Sequence, residues 1–233
     1  MTAAETPFAE ADTGQTLRAW LSLRQAVAVS DAISPATAKA ELRRTIRAAR
    51  RDRLTADHEA STDHGVHRDY GTHIADRVMD LPEIRRACEQ GLPIACYVSR
   101  PEEPPTAQLR DRLLGAGAIL LLPRIHDDDL HWVHMAPATT WSVNRWGIEE
   151  PQGDPFPDSP ALWIVPALAI DADGHRLGQG GGFYDRALAK DPGSQKIVIA
   201  IVFDDELIDR VPHEEHDVPV DIAITQNRSH RPF

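Results

Sequence analysis

Short apolar runs alternate with polar, helix-patterned stretches from Leu92 to the C-terminal region. Residues 93–98, 118–123, 130–135, 162–165, 196–203 and 218–225 each read as a strand, bounded by turn-forming residues. Residues 105–114 and 183–190 carry helical spacing between them. Strands that alternate with helices predict an α/β domain of three layers, α/β/α, around a mostly parallel central sheet. Upstream, Ser34 followed by Pro35 is the pattern of an N-cap with proline at the first helical position. Leu42, Ile46 and Ala49 then form one stripe, with Lys39, Arg43, Arg47 and Arg50 beside it. Leu54-Thr-Ala-Asp57 predicts a fresh helix cap, with helical character to about Met79, weakened at Gly65 and Gly71. Leu81-Pro82 is expected to close that region. The proline-rich residues 151–160 read as a loop. Residues 1–33 read as an appendage, with Leu17, Trp20, Leu21 and Leu23 on one face of a short helix, ahead of a single domain over 34–233.

Composition narrows the function. A formal net charge of −11 argues against general nucleic-acid binding, which needs a concentrated basic surface, but leaves room for nucleotides held by a few local cations. No apolar run has the length of a membrane span, and the N-terminal residues are acidic and polar rather than signal-like. Cys88 and Cys96 are the only cysteines, so a reducing compartment is the default and a cytoplasmic protein is expected.

The chemistry concentrates in Gly178-Gln-Gly-Gly-Gly182, which follows the turn Asp171-Ala-Asp-Gly174 and opens onto a predicted helix. Closely spaced glycines let backbone N–H groups approach an anion, and a helix N-terminus favours negative charge. The segment lacks the Gly-Lys-Ser/Thr of a Walker A loop, and Phe183 stands at the last glycine of a dinucleotide fingerprint. Arg176 can clamp a phosphate and Asp185 can hold a magnesium ion that bridges phosphates. A structural turn remains the alternative for the glycines alone.

Five ordered blocks carry a family resemblance. Val165-Pro-Ala-Leu-Ala-Ile-Asp171 with Gly174-His-Arg-Leu-Gly-Gln-Gly-Gly-Gly-Phe-Tyr-Asp-Arg186 is the most distinctive. Lys39-Ala-Glu-Leu-Arg43, Tyr97-Val-Ser-Arg-Pro-Glu-Glu-Pro-Pro-Thr106, Asn144-Arg-Trp-Gly-Ile-Glu-Glu-Pro151 and Val211-Pro-His-Glu-Glu-His-Asp217 are the others. Together they resemble the 5-formyltetrahydrofolate cyclo-ligase family, also called methenyltetrahydrofolate synthetases. The resemblance implies an architecture like that of the NagB/RpiA/CoA-transferase group. It also implies ATP-dependent closure of 5-formyltetrahydrofolate to 5,10-methenyltetrahydrofolate, with reduced folate and ATP as the small-molecule partners and Mg2+ as cofactor. Nucleic acid and membrane are not expected as partners, and a monomer or weak homodimer is expected.

By the same resemblance, Lys39, Arg43 and residues Arg176, Leu177, Gly178, Gln179, Gly180, Gly181, Gly182, Phe183 and Tyr184 would surround ATP. Val98, Glu103, Trp146, Gln179 and Gly180 would bind folate, Glu103 at the pterin edge and Trp146 against the ring. Arg145, Arg176 and Tyr184 would assist the chemistry, and Asp185 and Asp217 would hold magnesium. This chain departs from the family pattern at Gln179, usually aromatic, at Ala167, usually glycine, at Ile170, usually phenylalanine, and at Glu206, commonly glutamine. A non-catalytic folate- or nucleotide-binding paralogue is the alternative. A sugar-phosphate isomerase-like protein would require a compact acid/base centre, which the sequence does not display.

Other signals are weaker. His64 with His67 lacks cysteine or carboxylate company, and His131 with His134 falls in a predicted strand, where odd spacing sends the rings to opposite faces. Asp127-Asp-Asp129 lacks the glycine and glutamate of a calcium loop and reads as a turn.

Overall fold

A computed structural model of the protein describes residues 34–63, 69–190, 196–214 and 217–232. The appendage at 1–33, and His64, Gly65 and His67, lie outside the described residues. Helix α1 (Pro35–Asp63) starts as its cap pattern predicts: the Ser34 hydroxyl accepts from the Thr37 N–H at 3.3 Å. It does not stop at Leu54-Thr-Ala-Asp57. The Thr55 hydroxyl donates back to the Arg51 carbonyl at 3.1 Å, so a residue able to cap a helix instead bonds within it. Its 29 residues make a rod of about 43 Å. Leu42 and Ile46 bury against Leu168, Ala169, Leu177, Ile208 and Val211. Replacing a side chain such as Ile46 by alanine there would cost about 2–5 kcal/mol.

Helix α2 (Tyr70–Met79) is capped by Asp69, whose carboxylate accepts from the Thr72 N–H at 2.9 Å. Leu81-Pro82 opens a helix rather than closing the region: α3 (Pro82–Gln90) takes Pro82 in its first turn, where no N–H is needed, and ends at Gly91. Strand β1 (Pro93–Ala95), helix α4 (Ala107–Gly115) and strand β2 (Ile119–His126) form a β-α-β unit. A tight turn at Asp127 and Asp128 leads into β3 (Asp129–His134), antiparallel to β2. The acidic run is therefore a hairpin turn, and Asp127 takes a positive φ of 54° that aspartate tolerates.

Two hairpins were not evident from periodicity. Strands β4 (Thr140–Val143) and β5 (Glu149–Gln152) pair antiparallel, so Pro151 lies in a strand rather than in the predicted loop. After β6 (Leu162–Pro166), β7 (Ala169–Ile170) and β8 (Arg176–Leu177) form a second, very short pair. Helix α5 (Phe183–Ala189), strand β9 (Ile197–Ile201), a 3-10 turn at Asp204–Glu206, β10 (Ile222–Ile224) and β11 (Ser229–His230) complete the chain.

The main sheet has the order β11-β10-β9-β6-β1-β2-β3, and its five central strands run parallel. One face buries Ile94, Leu120, Ile164, Ile199 and Ile222 beneath α2, α3 and α4. The alternate residues, Ala95, Leu121, Val165, Ala200 and Ala223, face a second core that includes Leu188 of α5 and Trp163. This is the expected three-layer α/β arrangement. From β1 the chain moves to β2 on one side and later returns to β6 on the other. Connections that leave neighbouring strands in opposite directions open a crevice at their C-terminal ends, and here it lies beyond β1 and β6.

Candidate functional site

The crevice is a cavity of about 970 Å3. Its walls include Lys39, Arg43, Arg47, Arg50 and Arg51 of α1, and Tyr97, Val98, Arg100 and Glu103 from the turn after β1. Trp146, Ile148 and Glu150 come from the β4–β5 hairpin, and every residue from Arg176 to Asp185 from the glycine loop. Glu214 and Asp217 close the far end. Of the residues expected at the ATP, folate, catalytic and magnesium positions, all but Arg145 line this one space. The Arg145 guanidinium instead sits 4.0 Å from the centre of the Trp146 ring.

The glycine loop owes its path to two backbone positions. Gly180 and Gly182 have φ of 99° and 67°, and a Cβ on Gly182 would come within 2.6 Å of the Arg186 guanidinium. Arg43 donates from Nε to the Gly178 carbonyl at 2.8 Å, which fastens α1 to the loop. Burial, and then the charge of Arg47 one turn away, hold the Arg43 guanidinium below its ordinary pKa. Arg176 is buried, donates to the Pro166 carbonyl at 3.2 Å and pairs with Asp185 in the first turn of α5. Its Nε has no hydrogen-bond partner although it is shielded from solvent. A buried unpaired donor is costly, about 1–3 kcal/mol, unless a ligand supplies the acceptor.

Lys39 bridges to Asp217 at 2.6 Å and Glu214 at 2.8 Å. Burial alone would lower its pKa, but the hydrogen bonds to Asp217 and Glu214 outweigh that and raise it above the ordinary lysine value. The segment carrying Asp217 is tied down by stacking of His213 on His175, ring centres 3.5 Å apart, and by the Val211 N–H donating to Asp171 at 2.9 Å. Asp171, Asp173 and His175 are the one group of three possible metal ligands drawn closely together among the described residues. Asp171 spends its oxygens on the N–H groups of Asp173, His175 and Val211, so it organises a turn.

On the opposite wall Glu103 is buried, and its Oε2 accepts from the Arg100 N–H at 3.0 Å. Tyr97 lies beside it; burial, and then the Glu103 charge, push the phenol well above its ordinary pKa. Burial does the same to Tyr184. Trp146 hangs over the cavity from the turn between β4 and β5. The Asn144 side-chain oxygen Oδ1 accepts from the Trp146 and Ile148 N–H groups at 2.9 and 3.1 Å, and its Nδ2 donates to Glu150 at 2.8 Å. Glu150 also accepts from the Ile125 N–H at 3.0 Å, which seats the hairpin on β2. The Trp146 ring meets Phe183 edge to face, with centres 6.1 Å apart, so the hairpin and the glycine loop touch across the cavity mouth.

Sequence reasoning left Arg47 and Arg50 without a role, although both stand on the basic stripe it noted. Arg47 donates to the Gln179 side-chain and backbone oxygens at 2.9 and 2.7 Å. Arg50 is only 1% exposed and grips Glu206 through two hydrogen bonds of 2.7 and 2.8 Å, with a third to the Ala167 carbonyl at 2.7 Å. The contact is a buried ion pair. Removing one partner of such a pair costs about 3–5 kcal/mol. The useful signal was a basic row too long for a solvated face, yet its acidic partners lie more than a hundred residues away in sequence.

Fold and cavity thus define an α/β small-molecule-binding protein. One wall is cationic and glycine-rich, and the other bears a buried carboxylate and an indole. The chain belongs to the 5-formyltetrahydrofolate cyclo-ligase family, whose model matches residues 35–226. It is 39% identical over 151 residues to the 5-formyltetrahydrofolate cyclo-ligase of Mycolicibacterium smegmatis, covering 59% of this chain and 75% of that one. It is 30% identical over 165 residues to that of Escherichia coli K12, covering 68% and 88%. Among solved structures, the 5,10-methenyltetrahydrofolate synthetase of Aquifex aeolicus is similar with a TM-score of 0.66 at 25% identity, covering 83% of this chain and 92% of that one. The Mycoplasma pneumoniae synthetase shares the fold, with a TM-score of 0.59 at 19% identity over 81% of this chain and 98% of that one. No helix among the described residues is long and apolar enough to cross a membrane.

Proposed function

We infer that this chain closes 5-formyltetrahydrofolate to 5,10-methenyltetrahydrofolate and converts ATP to ADP and phosphate. The observation that carries this reading is that one cavity holds both residue sets. Lys39, Arg43 and Arg176 surround the glycine loop on one side, and Glu103 and Trp146 stand on the other. A formamide carbonyl is a poor electrophile and its oxygen a poor leaving group. Transfer of the γ-phosphoryl group to that oxygen releases ADP; N10 then attacks the activated carbon and gives up its proton, and hydrogen phosphate departs as the methenyl cation forms. Such chemistry needs alignment and charge neutralisation rather than a protein nucleophile.

In this reading the loop N–H groups, Lys39 and Arg43 hold the triphosphate, and the Arg176 guanidinium stands by the transferring phosphate. Glu103 accepts from the pterin edge, Trp146 covers the ring, and Tyr184 packs beneath the loop. Arg145 acts from outside the cavity wall through Trp146. Asp185 and Asp217 are hard oxygen donors lining the cavity and would hold Mg2+ beside the phosphates. The ion would supply charge neutralisation at the phosphates; the two carboxylates already hold Arg176 and Lys39 in place. The free thiols Cys88 and Cys96 fit a cytoplasmic setting, and we expect a monomer or weak homodimer.

The test is direct. The protein, 5-formyltetrahydrofolate, ATP and Mg2+ are mixed and the absorbance of the methenyl product is followed, with product expected only when all are present. Tight folate binding without product would instead make the chain a non-catalytic binder.

A further inference from the structure

Gln179 sits inside the glycine loop, yet its side chain reaches out of it in two directions. Its Oε1 accepts from Arg47 Nε at 3.1 Å and from the terminal nitrogen at 2.9 Å, while its Nε2 donates to Glu103 Oε1 at 3.3 Å. The amide orientation is dictated by its neighbours: a guanidinium has only donors and an ionised carboxylate only acceptors. Arg47 also grips the Gln179 backbone carbonyl at 2.7 Å, so both ends of the residue are held by one guanidinium. The neighbouring Gly178 carbonyl is held by Arg43 at 2.8 Å, one helical turn back along α1. A side chain at position 179 that joins Arg47 to Glu103 in one relay must accept from the first and donate to the second together, which the glutamine amide does with its two separate ends.

Its consequence lies at Glu103. One oxygen accepts from Gln179 and the other from the Arg100 N–H at 3.0 Å, which leaves a lone pair on each oxygen for a ligand edge with two donors. The relay spans α1, the loop between β8 and α5, and the turn between β1 and α4, and so joins the two walls of the cavity. We propose that Arg47 is a positioning residue which, through Gln179, sets the Glu103 carboxylate and couples occupancy of the glycine loop to folate affinity. A phosphate-bearing ligand that orders the loop fixes the backbone of Gln179 and thereby the aim of its amide. Linkage requires the reciprocal effect, with folate tightening nucleotide binding by the same factor.

The proposal rests on Glu103 as the folate acceptor, and its test separates the two readings. Calorimetry measures 5-formyltetrahydrofolate binding with and without a non-hydrolysable ATP analogue and Mg2+, for wild type, Arg47→Ala, Arg47→Lys and Gln179→Ala. The analogue should tighten wild-type folate binding about 10-fold, within the usual range of coupling between sites. Arg47→Ala and Gln179→Ala should reduce that coupling to within about 2-fold and, by reciprocity, raise the KM of each substrate about 10-fold when the other is saturating. Arg47→Lys restores one contact but not the fork and should fall between. Wild-type coupling in Arg47→Ala, or a rise in the ATP KM alone, overturns the relay while leaving the catalytic reading intact. A wild-type protein that shows the coupling but forms no methenyl product overturns the catalytic reading alone, and one that shows no coupling overturns the relay.

Discussion

On the glycine-loop wall Lys39, Arg43 and Arg176 are buried or half-buried, and each is anchored by a carboxylate or a backbone carbonyl. On the hairpin wall β4 is exposed along its whole length, and Trp146 stands 44% exposed on a turn held mainly by Asn144 and Glu150. The first wall is charged before any ligand arrives, which is what phosphoryl transfer rewards, because preorganised charge need not reorganise during the reaction. The second offers an apolar surface on a two-stranded support, suited to covering a flat ligand after it enters. Under the proposed function, the difference separates a wall that would perform chemistry from one that would recognise and enclose the folate.

Substitutions on each wall should therefore break different kinetic constants. Arg176→Ala should lower kcat/KM by about 1,000-fold or more, the scale of losing a buried charge-stabilising donor, while the circular dichroism spectrum stays native. Retained turnover would remove Arg176 from the phosphate site. Glu103→Gln replaces one acceptor oxygen by a donor and should raise the folate KM by about 100-fold with little change for ATP. An equal rise in both constants would mean that Glu103 only shapes the turn. Trp146→Ala should raise the folate KM by about 10-fold, from loss of ring contact, and leave kcat within about 3-fold. A large fall in kcat would move the hairpin to the chemical wall.

Legibility in the sequence followed how local each cause was. The Ser34-Pro35 cap, the strands at 162–165 and 196–203 and the glycine loop rest on neighbouring residues and were readable. Pro82 was misread because proline both ends and begins helices, and only the turn of backbone that follows distinguishes the two. The β4–β5 and β7–β8 hairpins escaped because their strands are two to four residues long, too short for a period to declare itself. Lys39, Arg43, Glu103, Arg176 and Asp185 were legible as candidates through family blocks, whereas Arg47 and Arg50 were visible only as members of a basic row.

By itself, the sequence determined the α/β class, the family and the loop at 178–182, because these depend on spacing along the chain and on ordered motifs. Tertiary structure alone decided which charges meet. Arg50 with Glu206, Lys39 with Asp217 and Arg47 with Glu103 through Gln179 are joined across long stretches of chain. Electrostatic partners are chosen by distance in space and by burial, and neither is written in the spacing of residues.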